Sequence, residues 1–266
     1  MTLTRFLLAS LQLDFIFNER YFEGREKALA SSLFPKTPED VYTAMLQRIK
    51  GGDKFSSEVP FRALSWIFHS KRPLHFDELC EAISIEPSNK FDRSSLKTIT
   101  AEKLISRCES FVKYEEVNDE FRFFHETAND HLKKIMKGQI NPDIKPNLLS
   151  ATDIAITCSA CLDFAEINDP CVDTTAARAK LVQNYKFTRY AAMFWADHVR
   201  EVEAEVVDTP YALNFLIDDN KRNSMLRIAL GDGYAEGETV LHVAARNGLA
   251  ILCERLLKKT LDKNKG

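Results

Sequence analysis

Apolar residues in this chain recur mostly at intervals of three and four, the period of an amphipathic helix. Near the start, Phe6, Leu7, Leu11 and Phe15 suit one helical face, and the pattern predicts one or two helices over 2–34. Thr37-Pro38-Glu39-Asp40 is a helix start: an N-cap, a proline in the first turn and two early acids. That helix runs through Val41, Met45, Leu46 and Ile49 and stops at Gly51-Gly52. The next covers about 57–70 on the stripe Phe61, Leu64, Ile67 and Phe68, and breaks at Lys71-Arg72-Pro73. A third starts near Asp77 and includes Leu79, Ala82 and Ile83. A loop with Pro87, Ser88 and Asn89 separates it from a fourth, over about 99–109.

The period then changes. Phe111-Val112-Lys113-Tyr114 and Phe121-Arg122-Phe123-Phe124 are runs of β-formers around Asn118-Asp119, so 111–116 and 119–124 are expected to pair as a hairpin against the helices around Trp66. Helix returns from Thr127 to Met136. Helices followed by a two-stranded wing are the plan of a winged helix. Asn141 to Asn147, with two prolines, reads as a linker. Long helices are expected over 151–165 and 174–200, and a further one opens at Pro210 through Leu213, Leu216 and Ile217, before the break at Gly231-Asp232-Gly233. Trp66 and Trp195 lie among apolar helical neighbours and read as core anchors. The fold class is mainly α, with a small hairpin.

Composition narrows the function classes. At 266 residues, 45% apolar and 28% charged, the chain can bury a core without staples. Its net charge of −3 disfavours a nucleic-acid backbone or an anionic membrane as main partner. No run approaches 18 apolar residues, so no bilayer span is expected. The apolar start is interrupted by Ser10, Gln12 and Asp14, which does not suit a signal peptide. Six cysteines scattered through apolar patterns suit a reducing compartment, and the cytoplasm is the expected location.

Candidate chemistry is sparse. Cys158-Ser-Ala-Cys161, with Cys171 and His198, has the ligand types of a zinc site, but a single CxxC on an apolar helix face reads better as packing. Gly231-Asp-Gly233 and Gly237 lack the spacing and the following strand of a dinucleotide loop. His125 and His131 are six apart, which does not put them on one helix face, and a capping or core role is expected for both. There is no G-x-S-x-G elbow and no G-x-x-x-x-G-K-[ST] loop. No catalytic residue, cofactor or metal is therefore expected, and no binding of ATP or GTP. DNA binding is the alternative function for a winged helix. However, Lys103 and Arg107 face Glu102 and Glu109 in number, and Lys113 and Arg122 are outnumbered by Glu115, Glu116, Asp119 and Glu120.

The sharpest local motif is Gly237-Glu-Thr239-Val-Leu241-His242-Val-Ala244-Ala245-Arg-Asn-Gly248, which resembles the ankyrin core G-x-T-P-L-H-x-A-A-x-x-G. Leu256 and Leu257 follow at apolar places of a second helix. Upstream segments, in order, resemble fungal NACHT (NOD-like receptor, STAND) ankyrin proteins. Phe6 to Asp14 resembles the end of the ATPase module, and Pro38 to Ile49 the helix after it. Ala63-Leu64-Ser-Trp66-Ile67, Arg72-Pro73-Leu74 and Glu78-Leu79 resemble the winged helix labelled GPI inositol-deacylase type. Phe124-His125-Glu-Thr127-Ala-Asn-Asp130-His131-Leu132 resembles its closing segment, and Phe187 to His198 the P-F-x-x-Y-A-A-x-x-W-x-x-H segment before the repeats, with Lys186 in place of the proline.

This resemblance implies four pieces: a helical tail of a NACHT-type module at 1–52, a winged helix at 53–137, a helical domain at 148–230 and a single ankyrin repeat at 234–260. It implies a non-enzymatic regulatory module whose partners are other proteins, a full-length receptor or a second copy of the chain. The interaction residues it implies are Thr239, Leu241, His242, Ala244, Ala245, Gly248, Leu256 and Leu257. Stacked repeats normally need three or more units. The array is thus expected to be cut short, with one face packed through Leu241, Ala244 and Leu256 and the other exposed.

Overall fold

A computed structural model of the protein describes residues 2–17, 24–26, 34–52, 54–86, 100–109, 111–164, 174–209, 212–231 and 237–263. The loop expected at Pro87, Ser88 and Asn89, the helix start at Pro210, the end of the break at Asp232-Gly233, and Cys171 lie outside them. The described chain is mainly helical, with one small antiparallel sheet. It divides into two compact units, one from 1–76 and 98–149, the other from 77–97 and 150–266.

The first unit begins with α1 (Thr2–Phe17), which packs on α2 (Pro38–Lys50). Leu11 is buried, but Phe6 is 73% exposed and does not share its face. α2 starts where its sequence says. Thr37 Oγ1 accepts the Asp40 N–H, and Asp40 accepts the Thr37 N–H at 2.9 Å, a reciprocal capping box. At its far end Gly51 keeps an ordinary right-handed conformation, φ −71°, so no left-handed glycine cap forms there. α3 (Lys54–His69) starts three residues earlier than expected and carries Pro60 inside it. Its face of Phe61, Leu64 and Trp66 is fully buried.

The hairpin is present as β2 (Val112–Glu115) and β3 (Glu120–Phe123), and β3 packs on α3. Val112 and Phe121 point inward while Lys113 and Arg122 face water, the alternation of a one-sided sheet. A third strand was not expected: β1 (Leu74–His75) pairs with β3, giving the order β1-β3-β2 with Leu74 opposite Phe121. Two residues carry no readable period, which is why the sequence pattern misses it. α5 (Ala101–Arg107), capped by Thr100, and α6 (Glu126–Met136) complete this unit, with a 3₁₀ turn at Lys145–Asn147.

The second unit contains most of α4 (Phe76–Ser84) and then α7 (Ala151–Asp163), α8 (Thr175–Asn184) and α9 (Phe187–Glu201). The single helix expected over 174–200 is two helices, interrupted at Tyr185 and Lys186. No glycine or proline marks the break. Instead the Phe187 N–H donates to the buried carboxylate of Glu81 on α4, at 2.9 Å. A distant acid caps α9 and ends the continuity with α8. α9 lies along α7, and Phe187, Tyr190, Trp195 and His198 are all on its buried face. Trp195 meets Phe215 edge to face at 5.2 Å. α10 (Glu203–Asp208), α11 (Asn214–Ile217) and α12 (Asp219–Leu230) follow. The break at Gly231 is real: φ +65° there suits glycine. α13 (Val240–Arg246) and α14 (Ala250–Lys263) close the unit.

Candidate functional site

The C-terminal segment folds as two helices, α13 and α14, joined by a short turn. Thr239 Oγ1 accepts the His242 N–H, and His242 Nδ1 accepts the Thr239 N–H at 3.2 Å, so two orphan donors of α13 are satisfied. Gly248 turns the chain at φ +69°, a conformation that costs a residue with a Cβ. Leu249 and Ala244 are buried, and α14 follows at once. The packed face differs from the expected one. Ala244 is in it, but Val243, Leu249 and Leu252 supply most of the rest, while Leu241 and Leu256 are only half-buried. Leu249, Leu252 and Leu256 have helical spacing, a signal that was available in the sequence. His242, Ala245 and Gly248 face solvent, and Leu257 is 50% exposed.

Two buried charges hold this pair against the helices before it. Glu203 accepts the Leu252 N–H at 2.8 Å, capping the first turn of α14. The guanidinium of Arg222 donates to the carbonyls of Leu216, at 2.7 Å, and Glu238, at 2.9 Å, tying the end of α11 to the approach of α13. Charge-assisted bonds of this kind are the stronger sort.

Between these elements runs a groove enclosing about 410 Å³. Val207, Leu213, Leu216 and Ile217 line one side, and Val240, Leu252 and Leu256 the other. Ile217 is 68% exposed along its edge. Among the described lining residues the charged ones are Arg255 and Lys258, and none is a carboxylate. Of the residues singled out from the motif, only Leu256 lines this groove; Val207, Leu213 and Ile217 carried no motif.

A second, smaller cleft of about 260 Å³ lies at α2 and α6, lined by Glu39, Thr127, Asp130, His131, Lys133 and Lys134 among others. His125 caps α6, its Nδ1 accepting the Thr127 N–H, and the Thr127 hydroxyl bonds to Tyr42 at 2.9 Å. His131 is 1% exposed, packs at 5.5 Å from the Tyr42 ring, and its Nδ1 has no hydrogen-bond partner. Burial pushes its pKa down to about 4, so it is neutral near pH 7. Both histidines have the capping and core positions expected of them.

Cys158 and Cys161 are buried on α7, and Cys161 Sγ lies 3.8 Å from the Thr188 hydroxyl. Burial raises the Cys161 thiol to about 12, far from the thiolate that metal binding or redox exchange needs. Among the described residues no group of three or more His, Cys, Asp or Glu side chains is placed to hold a metal ion. On the hairpin, Arg122 is held by Glu120 at 2.8 Å and by Glu115 at 3.4 Å. Among the described residues no helix is long and apolar enough to cross a membrane. Comparison with protein-family models, with curated proteins and with solved structures finds no match to this chain.

Proposed function

We propose that this protein is a non-catalytic protein-interaction module acting in the cytoplasm, of the kind that couples the NACHT ATPase to the ankyrin repeats in fungal NOD-like receptors. The groove carries the reading: seven apolar side chains around an open cavity, with no carboxylate, histidine or cysteine among its described lining residues. The strand order β1-β3-β2, with α3 packed on β3, supports the winged-helix part of the reading. The Thr239–His242 capping box and the turn at Gly248 support an ankyrin-type helix pair. DNA binding has less support, because the hairpin's Lys113 and Arg122 are outnumbered by Glu115, Glu116, Asp119 and Glu120.

The test is affinity capture from an extract of the source organism, with the chain and its Ile217→Asp variant side by side. The native chain is expected to retain a protein stoichiometrically, and the variant to lose it. Identical retention by both overturns the groove as the working surface. Duplex DNA binding that weakens steeply with salt overturns the reading as a whole.

A further inference from the structure

The groove has a composition that specifies its occupant more closely than "another protein". Its volume is within the roughly 300–1,000 Å³ of ligand sites and suits the three or four apolar anchors of one helix rather than a whole domain. Its walls are largely aliphatic, and Ile217 at its edge is 68% exposed, so the groove opens to solvent there, as a helix laid against it requires. Its charge is one-signed. Arg255 and Lys258 line it, whereas their carboxylate partners, Asp208 and Glu254, are not lining residues. Among the described lining residues there are two cations and no anion, although the chain as a whole has 39 acids and 36 bases. Both ion pairs are largely in water, where such pairs are weak, so either cation can exchange its partner for an incoming carboxylate at little cost.

We propose that the groove between α10–α11 and α13–α14 docks an amphipathic helix of a partner protein, whose apolar face fills the cavity and whose flanking carboxylates meet Arg255 and Lys258. The inference rests on the interaction reading and names the chemistry of the partner. Glu203 and Arg222 make the site preformed, because they fix α14 and α13 to the opposite wall before any partner arrives.

The experiment uses the full chain and two labelled synthetic helices of about sixteen residues. Both present leucines at i, i+4 and i+7; one is flanked by glutamates and the other by lysines. Fluorescence anisotropy is expected to show the glutamate helix saturating in the micromolar range, and the lysine helix binding at least about tenfold more weakly, with the gap closing at high salt. The Arg255→Glu, Lys258→Glu double variant should reverse that preference. Ile217→Asp, at an exposed position that leaves the core intact, should weaken both helices about tenfold or more. Equal binding of the two helices, or binding that Ile217→Asp leaves unchanged, overturns the proposal. So does tighter binding of oleate than of the glutamate helix, or a dimer that Ile217→Asp dissociates in sedimentation. If the synthetic helices fail while protein capture persists, the partner chemistry is wrong and the interaction reading stands.

Discussion

The two units bury polar groups for different purposes. In the second, Glu81 and Glu203 are buried carboxylates, each accepting a backbone N–H at the start of a helix, α9 and α14. Neither helix has a capping side chain of its own there: Lys186 makes no cap bond, and Leu249 has no group to make one. The acids come from 106 and 49 residues away. In the first unit one buried polar group, the imidazole of His131, packs on Tyr42 with Nδ1 unpartnered. It caps nothing, and it is tolerated because it is neutral. A buried charge aimed at a helix dipole replaces missing local information. A buried neutral base is instead a latent cost, which acid brings out.

That contrast is sharpest in acid. The His131 pKa is about 4 in the folded chain and near the ordinary 6.5 when unfolded. Above pH 6.5 neither state holds the proton and stability is unaffected. As pH falls from 6.5 to 4 the unfolded chain takes up the proton first, so stability drops, and below 4 the loss is complete. The loss reaches up to roughly 3 kcal/mol. Urea unfolding at pH 7 and pH 4.5 should show a drop for the native chain that is smaller in His131→Phe. An equal drop in both would remove His131 from the account.

The distant caps come next in size. Glu81→Ala and Glu203→Ala should each destabilise the chain by about 2 kcal/mol, because a buried N–H loses a charged acceptor. Hydrogen exchange should locate the loss at the first turn of α9 in one variant and of α14 in the other. If neither amide becomes less protected, the carboxylates are not the caps.

Local caps should matter less. Ser150→Ala, which removes the capping box with Asp153 at α7, and Thr239→Ala at α13 should cost about 1 kcal/mol each, read as a shift in the urea midpoint. A larger loss than for Glu81→Ala would reverse the order that separates near caps from far ones.

Those near caps are the part legible in the residues themselves. Thr37 with Asp40, Ser150 with Asp153, and Thr239 with His242 lie three positions apart, so each helix start is written within one turn. The hairpin is legible for a related reason: within its strands Val112, Tyr114, Phe121 and Phe123 alternate with Lys113, Glu115, Glu120 and Arg122, and the four-residue turn between the strands closes with Asp119 at φ +54°, where Tyr114 donates to it at 2.6 Å. The burial of Trp66, Trp195, Cys158 and Cys161 also follows from helical spacing alone.

The candidate site was less legible. The motif from Thr239 to Gly248 marks the helix pair, and Leu213, Leu216 and Ile217 have helical spacing, yet nothing local says that these residues and Val207 form the groove's other wall. β1, the interruption between α8 and α9, and the preformed groove depend on partners dozens of positions away: Phe121 for Leu74, Glu81 for Phe187, Glu203 for Leu252. Periodicity and caps act over three or four residues, so the sequence by itself determines where most helices run and which faces are apolar. Which buried acid meets which helix start, and where two apolar faces leave a gap instead of closing, is decided only by tertiary structure. Those outcomes depend on chain segments brought together by packing, and no local pattern encodes the meeting.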